Sequence, residues 1–142
     1  MELHRPRGRP FAAGLDPSAP LGFIAVDVDI YSAARSALGC LLERPEVYCP
    51  AISMYFDDVS FFFANEWCGE LAAIQEFNAE HELRKIDIDR SLPGQRPATY
   101  ETWYRNIYVC HVLDHPARRA PRDRITLGLC SHHELMRRHC LY

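Results

Sequence analysis

Two acidic stretches carry the residues whose types and spacing point most directly to chemistry. In "FIAVDVDIYS", an apolar run ends in Asp27 and Asp29, two residues apart; in "AISMYFDDVS", a second run ends in the adjacent pair Asp57 and Asp58. Carboxylates held within a few ångströms repel one another and are costly to desolvate unless a cation joins them. Hard divalent cations such as Mg²⁺ or Mn²⁺ take oxygen ligands and keep positions open for water or substrate oxygens. Two neighbouring strands ending in D-x-D and D-D therefore predict a cation cradle. A metal there would lower the pKa of a bound sugar or phenol hydroxyl, and a spare carboxylate would take its proton. The structural alternative is that aspartates at strand ends make turns and cap the following helix.

The elements that must position these residues follow from periodicity. Residues 22–28, apolar but for Asp27, read as a strand buried on both faces in a sheet covered by helices. "YSAARSALGCLLER" follows, with Ala34, Ala37, Leu38, Leu41 and Leu42 at helical spacing and Pro45 as its stop. "AISMYF" reads as a second strand. Asn65 is a candidate cap for a helix over "EWCGELAAIQEFNAEH", on which Leu71, Ile74 and Phe77 lie near one face. "LRKIDI" and "NIYVCHVLD" are the third and fourth strands, separated by the loop "SLPGQRPAT". The predicted order is β-α-β-α-β-β, an α/β layered sheet with right-handed crossovers. Ligands of such sheets bind at the carboxyl ends of the strands, where both aspartate clusters fall.

Composition sets the frame around this unit. The 142 residues suit one domain with a proper core, 48% of them apolar and 25% charged. No apolar run is long enough to span a membrane, and prolines interrupt any signal-like stretch after Arg5, Arg7 and Arg9. A cytoplasmic protein is the expectation. The six cysteines, with no C-x-x-C pair, read as reduced and mostly buried thiols. Residues 1–20 read as a flexible, basic, Pro-rich lead-in, 21–116 as the folded unit, and 117–142 as an arginine-rich tail ending in a short helix, "SHHELMRRHCLY". The net charge of −3 conceals a middle of −8 flanked by basic ends. Without interleaved aromatics, those ends read as solvated arginine rather than a nucleic-acid surface.

"GFIAVDVDIYSAARSAL" followed by "AISMYFDDVS…GELAAIQEFNAEHELRKI" resembles the later half of the macrocin O-methyltransferase family, metal-dependent enzymes of the class I S-adenosylmethionine (SAM) methyltransferase fold. The resemblance covers roughly Pro20 to Pro116 and rests on D-x-D-x-Y-S, a helix, and a strand ending in an aspartate pair. It implies a partial Rossmann-like sheet. It also implies Asp27 as first metal ligand, Asp29 as the base that deprotonates an acceptor hydroxyl, and Asp57 and Asp58 as completing the Mg²⁺ (or Mn²⁺) site. Tyr31 and Ser32 match family positions without an assigned role. SAM is implied as cofactor, yet no glycine-rich strand-to-helix turn precedes Phe23. The expectation is a fragment, or a chain completed by another polypeptide or a second copy, that binds SAM poorly by itself.

Other chemistries fit less of the sequence. D-x-D after an apolar strand also begins haloacid-dehalogenase-type phosphatases, but the sole lysine, Lys85, lies beyond both clusters. D-x-D binds Mn²⁺ and sugar-nucleotide diphosphates in glycosyltransferases, which leaves "FDD" idle. Cys130, His132, His133, His139 and Cys140 match no standard zinc spacing. His111 and His115 read as packed or capping residues. The run Phe61, Phe62, Phe63 and Trp67 is read equally as acceptor pocket or lid and as core or subunit contact, and "TWYRNIYV" as sheet core. Outside enzymology, a catalytically silent module that pairs its free sheet edge with a partner is the alternative.

Overall fold

Alternating apolar residues along four short segments generate a mixed sheet in the order β1-β2-β4-β3. The structure, a computed structural model, describes residues 14–92 and 103–118. Its strands are β1 (Leu21–Val26), β2 (Tyr48–Phe56), β3 (Arg84–Ile88) and β4 (Ile107–Val112). Helix α1 (Tyr31–Leu38) joins β1 to β2, and α2 (Gly69–Glu80) joins β2 to β3. β1 and β2 are parallel, whereas β4 is inserted antiparallel to both β2 and β3. The α/β class and the β-α-β-α-β-β order are as expected; the sheet is mixed, not parallel throughout.

Register converts the sequence pattern into cross-strand layers on one face. Ile52, Cys110 and Ile86 align across three strands, as do Ile24, Met54, Tyr108 and Ile88 across four. Ala34, Leu38 and Leu41 from the α1 side, and Ala73, Ile74 and Phe77 from α2, close over these layers and complete a single core. Phe56 meets Tyr108 edge to face at 5.3 Å between ring centroids.

The opposite face of the sheet is open among the described residues. Its central row runs Phe23, Ser53, Val109, Asp87, and Phe23 is 57% exposed. The expectation of a first strand buried on both faces is therefore corrected. Continuous apolarity cannot distinguish a strand covered twice from one whose second face is left uncovered.

Several boundaries also move. α1 stops at Leu38 and tightens into a 3₁₀ turn over Gly39–Leu42, well before Pro45, which opens a further 3₁₀ turn, Pro45–Val47. β2 begins at Tyr48, three residues early; its ladder with β1 carries an irregularity between Leu21 and Phe23, opposite the segment that contains Pro50. α2 starts at Gly69 with Cys68 as N-cap, not at an Asn65 cap; Gly69 has φ +60°, which separates the helix from the turn before it. Asn65 instead accepts the Trp67 N–H at 3.0 Å, making a local turn. The "NIYVCHVLD" strand is shorter at both ends, and Asn106 closes a 3₁₀ turn, Trp103–Asn106, ahead of it. The terminal helix, the histidine–cysteine set at 130–140, and most of the loop before β4 lie outside the described residues.

Polar side chains pin one end and one edge of the sheet. At the amino end of β3, Arg84 is buried and donates to the carbonyls of Leu41, Glu43 and Leu83 at 3.0–3.1 Å, besides pairing with Asp114. At the outer edge of β3, the Asn78 side chain bonds both the N–H and the C=O of Ile86 at 2.7 Å, so a side-chain amide takes the place of a fifth strand. β1 has no equivalent guard among the described residues.

Candidate functional site

Both acidic clusters emerge at the carboxyl ends of the parallel pair, β1 and β2. Val26 is in register with Phe56, and the last rung of the ladder is the Asp57 N–H to the Val26 carbonyl, at 3.2 Å. Asp27 and Asp57 thus leave adjacent strands at equivalent positions, where neighbouring strands lie about 4.8 Å apart. The pleat continues past the ladder, since Tyr55 donates its hydroxyl proton to Asp57 Oδ1 at 2.7 Å, an i to i+2 contact on the open face. Asp27, Asp29 and Asp57 are all exposed, and Asp58 is half-buried.

Electrostatics tie the four aspartates into one neighbourhood. Burial, then the charges of Asp29, Asp57 and Asp27, push the Asp58 carboxyl above its ordinary value. The Tyr55 hydroxyl is held above its usual range, first by its bond to Asp57 and further by the charges of Asp57 and Asp27. Like charges gathered without a counter-ion are the feature that a divalent cation would relieve.

The donor set is all-oxygen, which suits Mg²⁺ or Mn²⁺. Among the described residues, no three His, Cys, Asp or Glu side chains are gathered into a ready ligand cage. A Mg²⁺ ion does not require one: it commonly binds through one or two carboxylates and completes its shell with water. The paired tips Asp27 and Asp57 fit that mode. SAM is different. No glycine-rich turn joins a strand to a helix among the described residues, and the β1–α1 turn carries aspartates and β-branched residues instead.

Two buried polar residues beside the acidic tips escape the sequence reading. Glu70, on the first turn of α2, is 1% exposed. Its Oε2 accepts the Asp58 N–H at 2.9 Å, and its Oε1 accepts the Val28 N–H at 3.4 Å. Burial pushes its carboxyl above the ordinary value, against the pull of those two N–H groups. Asn106, also buried, donates to the Asp57 carbonyl at 2.8 Å and accepts from the Ser60 hydroxyl. A glutamate on a helix adjoining apolar residues reads as surface charge until its burial is seen; nothing in the local pattern flags either residue.

Beyond Ser60 the chain makes an exposed aromatic loop. Phe62 is 91% exposed, Phe63 73% and Trp67 85%, and the Phe62 and Phe63 rings stack edge to face on each other at 4.8 Å. Core packing is thereby excluded for these rings. "TWYRNIYV" divides: Tyr108 packs against the core, while Trp103 is exposed. His111 and His115 serve locally, His115 Nδ1 accepting the Ala117 N–H at 3.0 Å. Of the cysteines, Cys49 and Cys110 are buried as expected, but Cys68 is exposed. No helix among the described residues is long and apolar enough to cross a membrane.

No protein-family model, curated protein or solved structure matches this chain.

Proposed function

We propose that this chain is the later half of a Rossmann-like, class I methyltransferase-type sheet, and that its acidic tips hold a divalent cation in a metal-dependent O-methyltransferase-like protein. The observation that carries the reading is the in-register exit of Asp27 and Asp57 from adjacent parallel strands, with Asp58 and Asp29 in the same field. The mixed four-stranded sheet with two helices is compatible with a partial α/β fold of that kind. Asp27 and Asp57, with Asp58 beside them, would hold Mg²⁺ or Mn²⁺ and draw a sugar-like or small-molecule hydroxyl into its shell. The cation would make such a hydroxyl more acidic, and Asp29 would accept its proton. SAM would supply the methyl group when bound; no described segment of this chain is built to hold it.

A second reading has its own support. The unguarded β1 edge, the open sheet face around Phe23 and the exposed Phe62, Phe63 and Trp67 suit a partner-dependent subunit whose acidic cluster is silent.

Titration calorimetry with Mg²⁺ on the purified chain, repeated on Asp57→Ala, separates the two. Saturable heat that disappears in the variant supports the cradle. Absence of heat in the wild type, or equal heat in both proteins, removes it.

A further inference from the structure

The β1–β2 ladder ends at the Asp57 N–H to Val26 carbonyl bond, yet the two chains do not part there. One position further along, the N–H of Val28 and the N–H of Asp58 both point to the same carboxylate, Glu70. Val28 lies between Asp27 and Asp29, and Asp58 follows Asp57. A single side chain, delivered by a third element, therefore bonds the centre of one acidic tip and the end of the other. Among the described residues no other side chain bonds both tips; Asn106 reaches the β2 tip alone.

We propose that Glu70 is a positioning residue that clamps the two acidic tips at a fixed spacing. The physical argument is that consecutive aspartates repel, and strand ends past the last ladder bond are free to splay. A two-oxygen acceptor between two N–H groups opposes that splaying with one close bond, to Asp58 at 2.9 Å, and one longer bond, to Val28 at 3.4 Å. Burial makes the clamp stiff, since a lost partner in a water-poor site leaves an unsatisfied carboxylate. Gly69, at φ +60°, sets the helix start that brings Glu70 between the tips. The Gln variant is the informative one, because an amide retains one acceptor oxygen and replaces the other with a donor that faces an N–H. The consequence for cation affinity rests on the cradle reading above; the clamp itself does not.

Amide hydrogen exchange followed by NMR tests the clamp. In the wild type, Val28 and Asp58 are expected to exchange with the same opening free energy, because one group holds both; independent protection of the two amides overturns the proposal without any variant. In Glu70→Gln, at least one of these amides is expected to shift upfield and lose about tenfold or more in protection, while Asn106→Ala leaves Val28 unchanged. A folded Glu70→Gln whose two amides match the wild type overturns it. Mg²⁺ calorimetry adds the functional arm: affinity is expected to fall about tenfold or more in Glu70→Gln, as supporting contacts around metal ligands commonly produce. A wild type that binds Mg²⁺ and a Glu70→Gln that binds equally well would show that the spacing does not matter. A wild type that ignores Mg²⁺ sinks the cradle, while the amides still decide the clamp.

Discussion

The guanidinium of Arg84 stands over the ring of Tyr48, 5.8 Å from its centroid, at the end of the sheet far from the acidic tips. Both side chains serve the same 3₁₀ turn. Arg84 takes the carbonyls of Leu41 and Glu43, while the Tyr48 hydroxyl donates to the Cys40 carbonyl and accepts the Glu43 N–H at 3.0 Å. Burial first, offset in part by the Glu43 N–H, pushes the Tyr48 hydroxyl up to about 12. Buried polar bonds thus hold the turn against the amino ends of β2 and β3.

Arg84→Ala is expected to destabilise the chain by about 3–5 kcal/mol, since it strands buried carbonyls and leaves Asp114 unpaired. Asp114→Ala should cost distinctly less, because the guanidinium keeps its three carbonyl acceptors. Urea denaturation of the two variants beside the wild type checks the order; an equal loss would mean that the ion pair, rather than the carbonyl bonds, dominates.

Acid is expected to weaken the fold through its histidines. His111 is lowered from 6.5 by burial first and by the Arg118 charge, with Asp87 and Asp89 opposing; His115 is lowered by burial first as well, with Arg118 adding to it and the Tyr48 backbone, Glu46 and Asp114 opposing. A depressed histidine takes its proton more readily in the unfolded chain. Stability is therefore whole above pH 6.5 and declines as pH falls below it. His111→Gln and His115→Gln should each flatten part of that decline in melting temperatures recorded from pH 7.5 to 5.

Much of this architecture is legible beforehand, and the reasons for the rest are physical. Strand and helix types follow from periodicity, and the placement of Asp27 and Asp57 at strand tips needs only the end of each apolar run. The open sheet face is not legible, because Phe23 and Ala25 are apolar whether or not anything covers them. The insertion of β4 between β2 and β3 depends on pairing between segments distant in sequence. Glu70 and Asn106 depend on burial, which only the assembled fold decides.

The exposed rings contribute little to the fold. Replacing Phe62, Phe63 and Trp67 together with serine should change unfolding free energy by less than about 1 kcal/mol, as for other surface substitutions. The same variant should reduce self-association in sedimentation velocity, because the largest exposed aromatic surface is gone. A large loss of stability would assign those rings a packing role.

Cysteine reactivity should sort by position. Burial first pushes the Cys110 thiol up to about 12, whereas Cys68 lies exposed on the loop before α2. Site-resolved mass spectrometry after brief iodoacetamide treatment should find Cys68 alkylated and Cys110 untouched until denaturant is added. Early labelling at Cys110 would contradict the packed Ile52–Cys110–Ile86 layer.

The order β1-β2-β4-β3 has a consequence for synthesis. On a ribosome, residues 84–88 emerge with no strand beside them, and stay orphaned until residues 107–112 follow and slot into the gap. A nascent chain arrested between those points has the parallel β1–β2 pair and a third segment that lacks its strand neighbour and can touch only α2 and, through Arg84, the turn around Leu41 and Glu43. Among the described strands β4 is the latest made, and the four-stranded sheet cannot close before it.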